Sequence, residues 1–243
     1  MRRFLKDNGL SIAFLALFLG ALAFQSIAGW DAYNAEQIEH REDTVTWGRY
    51  VTSSTFAVAV LENWQSEYLQ FTLFILLTVW LIQRGSPESK EPGKEGTESD
   101  REQQIGKHAD ADSPLWARVG GLRTRLYSNS LLLLMATIWV LSWLGQSIAG
   151  VVEFNQQQEE HGDGAVSWAE YLTRADFWER TLQNWQSEFL AVGSMAILSV
   201  YLRQRGSGES KPVGAPHDAT GGAAARDERD HREAPTAPRP SGG

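Results

Sequence analysis

The sequence contains no cysteine, which excludes disulfides and thiolate metal centres and leaves the redox compartment unread. It has no concentrated basic stripe, and with a formal charge of −8 no nucleic-acid partner is expected. Charge is missing altogether from Asn8 through Trp30 and again from Leu126 through Val152. At about 1.5 Å per helical residue, either run is long enough to cross a hydrocarbon core of roughly 30 Å. No proline or paired glycine interrupts the apolar segments, unlike the broken helices of many transporters. None of them contains histidine, which argues against bis-histidine haem. Also absent are a Gly-x-Ser-x-Gly elbow, a phosphate loop, a dinucleotide fingerprint and a cysteine nucleophile. The chain is therefore read as non-enzymatic and without a cofactor.

What is present is an internal repeat. A shift of about 121 residues, without a gap, aligns Gln25-Ser26-Ile27-Ala28-Gly29 with Gln146-Ser147-Ile148-Ala149-Gly150. The same register pairs Asn63-Trp64-Gln65-Ser66-Glu67 with Asn184-Trp185-Gln186-Ser187-Glu188. It also pairs Gln83-Arg84-Gly85-Ser86 with Gln204-Arg205-Gly206-Ser207, and Glu88-Ser89-Lys90 with Glu209-Ser210-Lys211. Between these blocks fall Asn34 with Asn155, His40 with His161, Trp47 with Trp168 and Tyr50 with Tyr171. Met1-Arg2-Arg3 and the apolar stretch behind it have the make-up of a signal peptide. The counterpart Ser128–Gly150 lies mid-chain, so the first segment is expected to be retained as a membrane helix.

Each copy also holds a second apolar segment, preceded by a helix-compatible stretch and ended by Gln-Arg-Gly, where the arginine can snorkel and the glycine can cap. The expected fold is all-α: an integral membrane bundle of four transmembrane helices, from a tandem parallel duplication of a two-helix unit. The first membrane repeat covers 1–93, with spans near 9–29 and 63–83. A disordered linker is expected over 86–114, a second membrane repeat over 115–214 with spans near 129–151 and 184–204, and a disordered tail over 207–243. Leu115–Tyr127 reads as an interfacial basic helix weakened by Gly120-Gly121. Lys and Arg concentrate at the amino terminus, in the linker and in the tail, while loops 31–55 and 152–176 are mainly acidic. The positive-inside rule then makes this a multi-pass protein with both termini and the linker cytoplasmic. Trp30, Trp47, Trp64, Trp168 and Trp185 suit an outer aromatic belt.

The bodies of the two first helices differ while their polar positions coincide, so those polar groups are expected to have partners. About 20 residues outward from Arg203, the outer hydrocarbon boundary falls near Gln183, which puts Glu67 and Glu188 inside the membrane. Asn63, Ser66 and Glu67 share one helix face by their spacing, as do Asn184, Ser187 and Glu188. Together with Gln25 and Gln146 they form the candidate intramembrane polar site. One reading makes it interhelical glue, with Gln25 bonding Glu67 and Gln146 bonding Glu188. The other makes the paired glutamates a proton, cation or small-solute site. His40 and His161 follow Glu39 and Glu160 in the outer loops, but no close His-x-x-x-His or Glu-x-x-His pair joins them, and no metal is expected.

The Asn-Trp-Gln-Ser-Glu and Gln-Arg-Gly-Ser-x-Glu-Ser-Lys blocks, with the opening Arg-Arg-Phe-Leu-Lys-Asp-Asn-Gly, resemble an uncharacterised family of small bacterial membrane proteins, classed as a domain of unknown function. The resemblance covers residues 2–93 and 125–211 and implies a bacterial inner (plasma) membrane setting, but no activity. The expected role is that of a structural or accessory protein in the lipid bilayer, alone, as a homo-oligomer or with a membrane-protein partner; the alternative is a small channel or carrier.

Overall fold

The computed structural model describes residues 2–221, and among them all regular structure is helical. Four long helices dominate: Gly9–His40, Ser54–Trp80, Ser130–Glu160 and Ala175–Tyr201. The first and third are long and apolar enough to cross a membrane by length and composition. The second and fourth are interrupted in their amino-terminal halves by Glu62, Asn63, Gln65 and Glu67, and by Glu179, Gln183, Asn184 and Glu188.

The first and third helices continue well past the expected spans 9–29 and 129–151. Hydropathy marks where an apolar environment ends, not where a helix does. Trp30 through His40 contains neither proline nor glycine, so the helix runs on until Arg41 adopts the left-handed conformation at φ 63° and caps it. At 32 residues it is about 48 Å long, more than a hydrocarbon core requires. The loops foreseen at 31–55 and 152–176 are correspondingly shorter, and each holds one helical turn, Trp47–Tyr50 or Trp168–Tyr171. Thr46 Oγ1 caps the first turn by accepting from Arg49 N, and Ser167 Oγ caps the second by accepting from Glu170 N.

Among the described residues the chain divides into two compact units, one up to residue 65 with 141–181 and the other 66–140 with 182 onward. In the first, Tyr50, Val58, Tyr171 and Phe177 are buried beside the polar Ser26, Gln65, Gln146, Ser147 and Thr181. Phe177 packs edge-on against Tyr171 and stacks on Trp143. In the second, Leu69 and Val200 are buried with Ser66, Thr72 and Ser199. Thr72 donates to Tyr68 O one turn back, which satisfies its hydroxyl without a partner helix.

Where the composition of 86–114 suggested disorder, the structure has turns and a short 3-10 helix at Gly106–His108. Local polar bonds take the place of an apolar core. Ser99 Oγ donates to Glu102, and Gly96 N donates to Val79 O. Gly93 and Gly96 supply the positive φ that these turns require. The tail likewise folds back as far as 221, and its remainder to 243 lies outside the described residues. Leu115–Tyr127 is not one helix. It breaks at Gly120 and Gly121, with φ 74° and 67°, into Leu115–Arg118 and Gly121–Ser128.

Candidate functional site

In the first unit the recurring polar residues clasp the loop after the first long helix, and the loop after the third, each to its helix. Asn34 donates to Val45 O at 3.0 Å and accepts from Val45 N at 2.8 Å. Asn155 makes the same pair of bonds to Val166, at 2.9 and 2.8 Å. Trp47 Nε1 donates to Ser26 Oγ at 3.2 Å, and Trp168 Nε1 to Ser147 Oγ at 3.0 Å. The Tyr50 hydroxyl lies where a side chain on Gly29 would stand, and the Tyr171 hydroxyl does the same at Gly150. Ser26, Gly29, Asn34, Trp47 and Tyr50 therefore recur as one interlocking set. Of the tryptophans assigned to an aromatic belt, Trp30, Trp47 and Trp168 spend their N–H groups inside this clasp.

In the second unit Ser66, only 1% exposed, donates to the Glu188 carboxylate at 3.4 Å. Glu67, itself exposed, lies within electrostatic reach of Glu188. The pairing joins the second and fourth helices through residues that are not counterparts in the 121-residue register. Ser187, the register counterpart of Ser66, is exposed and donates back to Asn184 O on its own helix. Asn63 donates in the same way to Ala59 O. Gln25 is exposed and lines a cavity of about 200 Å³ with Asn63, Trp64 and apolar side chains of the first and second helices. Gln146 is only 2% exposed, and its Oε1 finds no hydrogen-bond partner among the described residues.

A charged cluster that motif reading did not single out sits in the first unit. Arg180 donates to Glu153 at 2.8 Å, and the Glu153 side chain is 12% exposed. Glu62 lies within electrostatic reach of the same guanidinium. A comparison of copies could not find this cluster, because the register counterparts of Glu153, Arg180 and Glu62 are Ala32, Ala59 and Gln183. Beside the loop after the first long helix lies an open polar cavity of about 890 Å³. Arg41 and Arg49 are balanced around it by Glu42 and Asp43, so its charge selects no ligand class. His161 Nδ1 donates to Gln157 O at 2.7 Å, which spends that nitrogen on its own helix, while His40 is exposed at the end of the first helix. Among the described residues no three His, Asp or Glu side chains come together in a metal-holding group.

The two Gln-Arg-Gly-Ser-x-Glu-Ser-Lys segments, both in the second unit, repeat one hydrogen-bonded loop almost bond for bond. Gly85 and Gly206 take φ 88° and 84°, as left-handed caps do. Ser86 Oγ accepts from Glu88 N at 3.3 Å, and Ser207 Oγ from Glu209 N at 3.1 Å. Ser89 Oγ accepts from Gln83 N at 3.0 Å, and Ser210 Oγ from Gln204 N at 2.9 Å. Lys90 Nζ donates to Gly96 O at 2.7 Å, and Lys211 Nζ to the equivalent His217 O at 2.8 Å. The serine and lysine of Glu-Ser-Lys recur because each closes the loop that ends a long helix.

The profile of a family described as a domain of unknown function (DUF6766) matches residues 1–222, and the chain belongs to that family. No curated protein and no solved structure matches it.

Proposed function

We propose that this member of the family is a four-span, multi-pass membrane protein with a structural or accessory role and no catalysis of its own. Its two halves would be tandem copies of a two-helix unit, set in a bacterial inner membrane with both termini cytoplasmic. The observation that carries this reading is an inverted distribution of polarity. Among the described residues seven apolar side chains are buried against fourteen polar ones, so burial of apolar surface in water is not what organises the fold. Large apolar side chains face outward on the second and fourth helices as well as on the first and third. Leu76, Leu77 and Trp80 are 41–58% exposed, and Leu190, Ile197 and Leu198 are 50–66% exposed. A soluble protein does not tolerate apolar surface of that extent, and a bilayer covers it. Ser26, Asn34, Trp47, Ser86 and Ser89, with their register counterparts, have internal partners in the loops and clasps, which accounts for these residues without a substrate.

A second reading keeps Glu67 and Glu188 as an ion site, favoured by the Ser66–Glu188 bond with Glu67 nearby. Proteoliposomes separate the two. The structural reading expects proton and monovalent-cation leak equal to that of empty liposomes from pH 5 to 8. Flux above that background, abolished by Glu67→Gln with Glu188→Gln in a protein that still folds, would establish the ion site instead. Glutamine retains hydrogen-bonding capacity at both positions while removing the charge, so a structural pair tolerates the double change.

A further inference from the structure

We propose that the elbow formed by Leu115–Arg118 and Gly121–Ser128 docks on anionic phospholipid headgroups, with Arg123 and Arg125 holding phosphates while Leu122 and Leu126 enter the acyl boundary between them. The two short helices pack on each other through one inward face. Thr124 is buried there and its Oγ1 donates to Trp116 O at 2.6 Å, with Ala117 buried on the facing helix. At about 100° per residue, Leu122 and Leu126 stand one turn apart on the side away from Thr124, with Arg123 to one flank of that ridge and Arg125 to the other. All four are exposed, Leu122 at 71%, and Leu115, Trp116 and Val119 add exposed apolar side chains on the first short helix.

The charge is of one sign. From Ser113 to Val152 the sequence has no acidic residue, and its charges are Arg118, Arg123 and Arg125. Arg118 turns back to the linker and donates to Ala111 O at 3.1 Å, whereas Arg123 and Arg125 form no ion pair or side-chain hydrogen bond among the described residues. The planar guanidinium fork matches a phosphate. Position supplies the rest, and it rests on the reading of the third long helix as a span. Asn129, at φ −118° and ψ 10°, separates the elbow from that helix and donates from its side chain to Arg125 O at 2.9 Å. Its counterpart Asn8, at φ −120° and ψ 15°, interrupts the first copy in the same way, donating to Phe4 O at 2.9 Å after the short basic helix Arg2–Asp7. A basic, apolar-ridged helix set apart at the mouth of a span meets acyl chains and phosphates together, which is what its two kinds of side chain require.

A nitroxide at Leu122→Cys, a single label because the chain has no native cysteine, reports on the ridge in the full chain reconstituted in liposomes. With about 30 mol % phosphatidylglycerol in phosphatidylcholine, the label should be shielded from a water-soluble nickel chelate and accessible to oxygen; in phosphatidylcholine alone the chelate should reach it. Arg123→Gln with Arg125→Gln should lower the ratio of docked to free elbow roughly 30-fold in the mixed liposomes, and about 0.5 M salt should act in the same direction. Arg123→Lys with Arg125→Lys, which keeps the charge, should leave the label shielded. The measurement needs only the third long helix to span, so it reads the same whether the chain crosses the membrane four times or twice, and a failure of the four-span reading would show in maleimide labelling instead. Chelate access at every phosphatidylglycerol content, equal shielding in phosphatidylcholine alone, which would mean that the ridge is covered without headgroup charge, or an unchanged glutamine variant would each overturn the proposal.

Discussion

Lys211→Met should loosen the segment from Pro212 to Gly221 by roughly 3 kcal/mol, the largest single-site effect expected in the second unit. Lys211 is 2% exposed, and its amino group donates to Pro216 O, His217 O and Ala219 O at 3.1, 2.8 and 3.2 Å. Methionine keeps the length of the side chain and removes every donor, so three carbonyls are left without the group that gathers them. Each of these part-buried bonds contributes about 1 kcal/mol. Lys90→Met should cost about a third as much, because Lys90 donates to one carbonyl and its ion pair with Glu98 is half exposed. Amide hydrogen exchange over 212–221 and over 91–98 gives both values in one experiment. Equal losses at the two lysines would show that the loops are held by something other than these bonds.

Arg180→Met should destabilise the first unit by about 2 kcal/mol, and Glu153→Gln in the same background should restore most of it. The effect lies less in losing an ion pair than in stranding Glu153, whose side chain is only 12% exposed. The magnitude is held below that of a fully buried pair because the Arg180 side chain is 39% exposed and partly screened. A double-mutant cycle read by thermal unfolding in detergent checks this. Strictly additive losses would mean that the two residues do not act on each other in the folded protein.

How much of this was legible beforehand depended on whether a residue recurs. Ser26, Asn34, Trp47 and Tyr50 stood out because the same types return in one register, and each has a partner in the folded chain. Arg180, Glu153 and Glu62 do not recur, and nothing in a comparison of copies marks them. The Ser66–Glu188 bond was hidden for another reason. Helical spacing puts both residues on a polar face, but it does not say which residue of which copy lies opposite. Helix ends were not legible from the apolar spans because hydropathy and helix propensity stop at different residues, Gly29 against His40 in the first helix. The linker was read as disordered from its poverty in apolar residues, and composition alone does not reveal the local bonds that serine and lysine make there or the turns its glycines allow.

Four spans, rather than two, is the central claim, and the lack of native cysteine makes it directly testable. Single substitutions Thr44→Cys, Ser99→Cys and Ser241→Cys are treated with a membrane-impermeant maleimide in intact bacterial cells and again after permeabilisation. With four spans, Thr44→Cys is labelled in intact cells, and Ser99→Cys and Ser241→Cys only after permeabilisation. If the first and third helices alone cross the membrane, positions 44 and 99 share a side. Labelling of Ser99→Cys from outside, at the same rate as Thr44→Cys, would contradict the account.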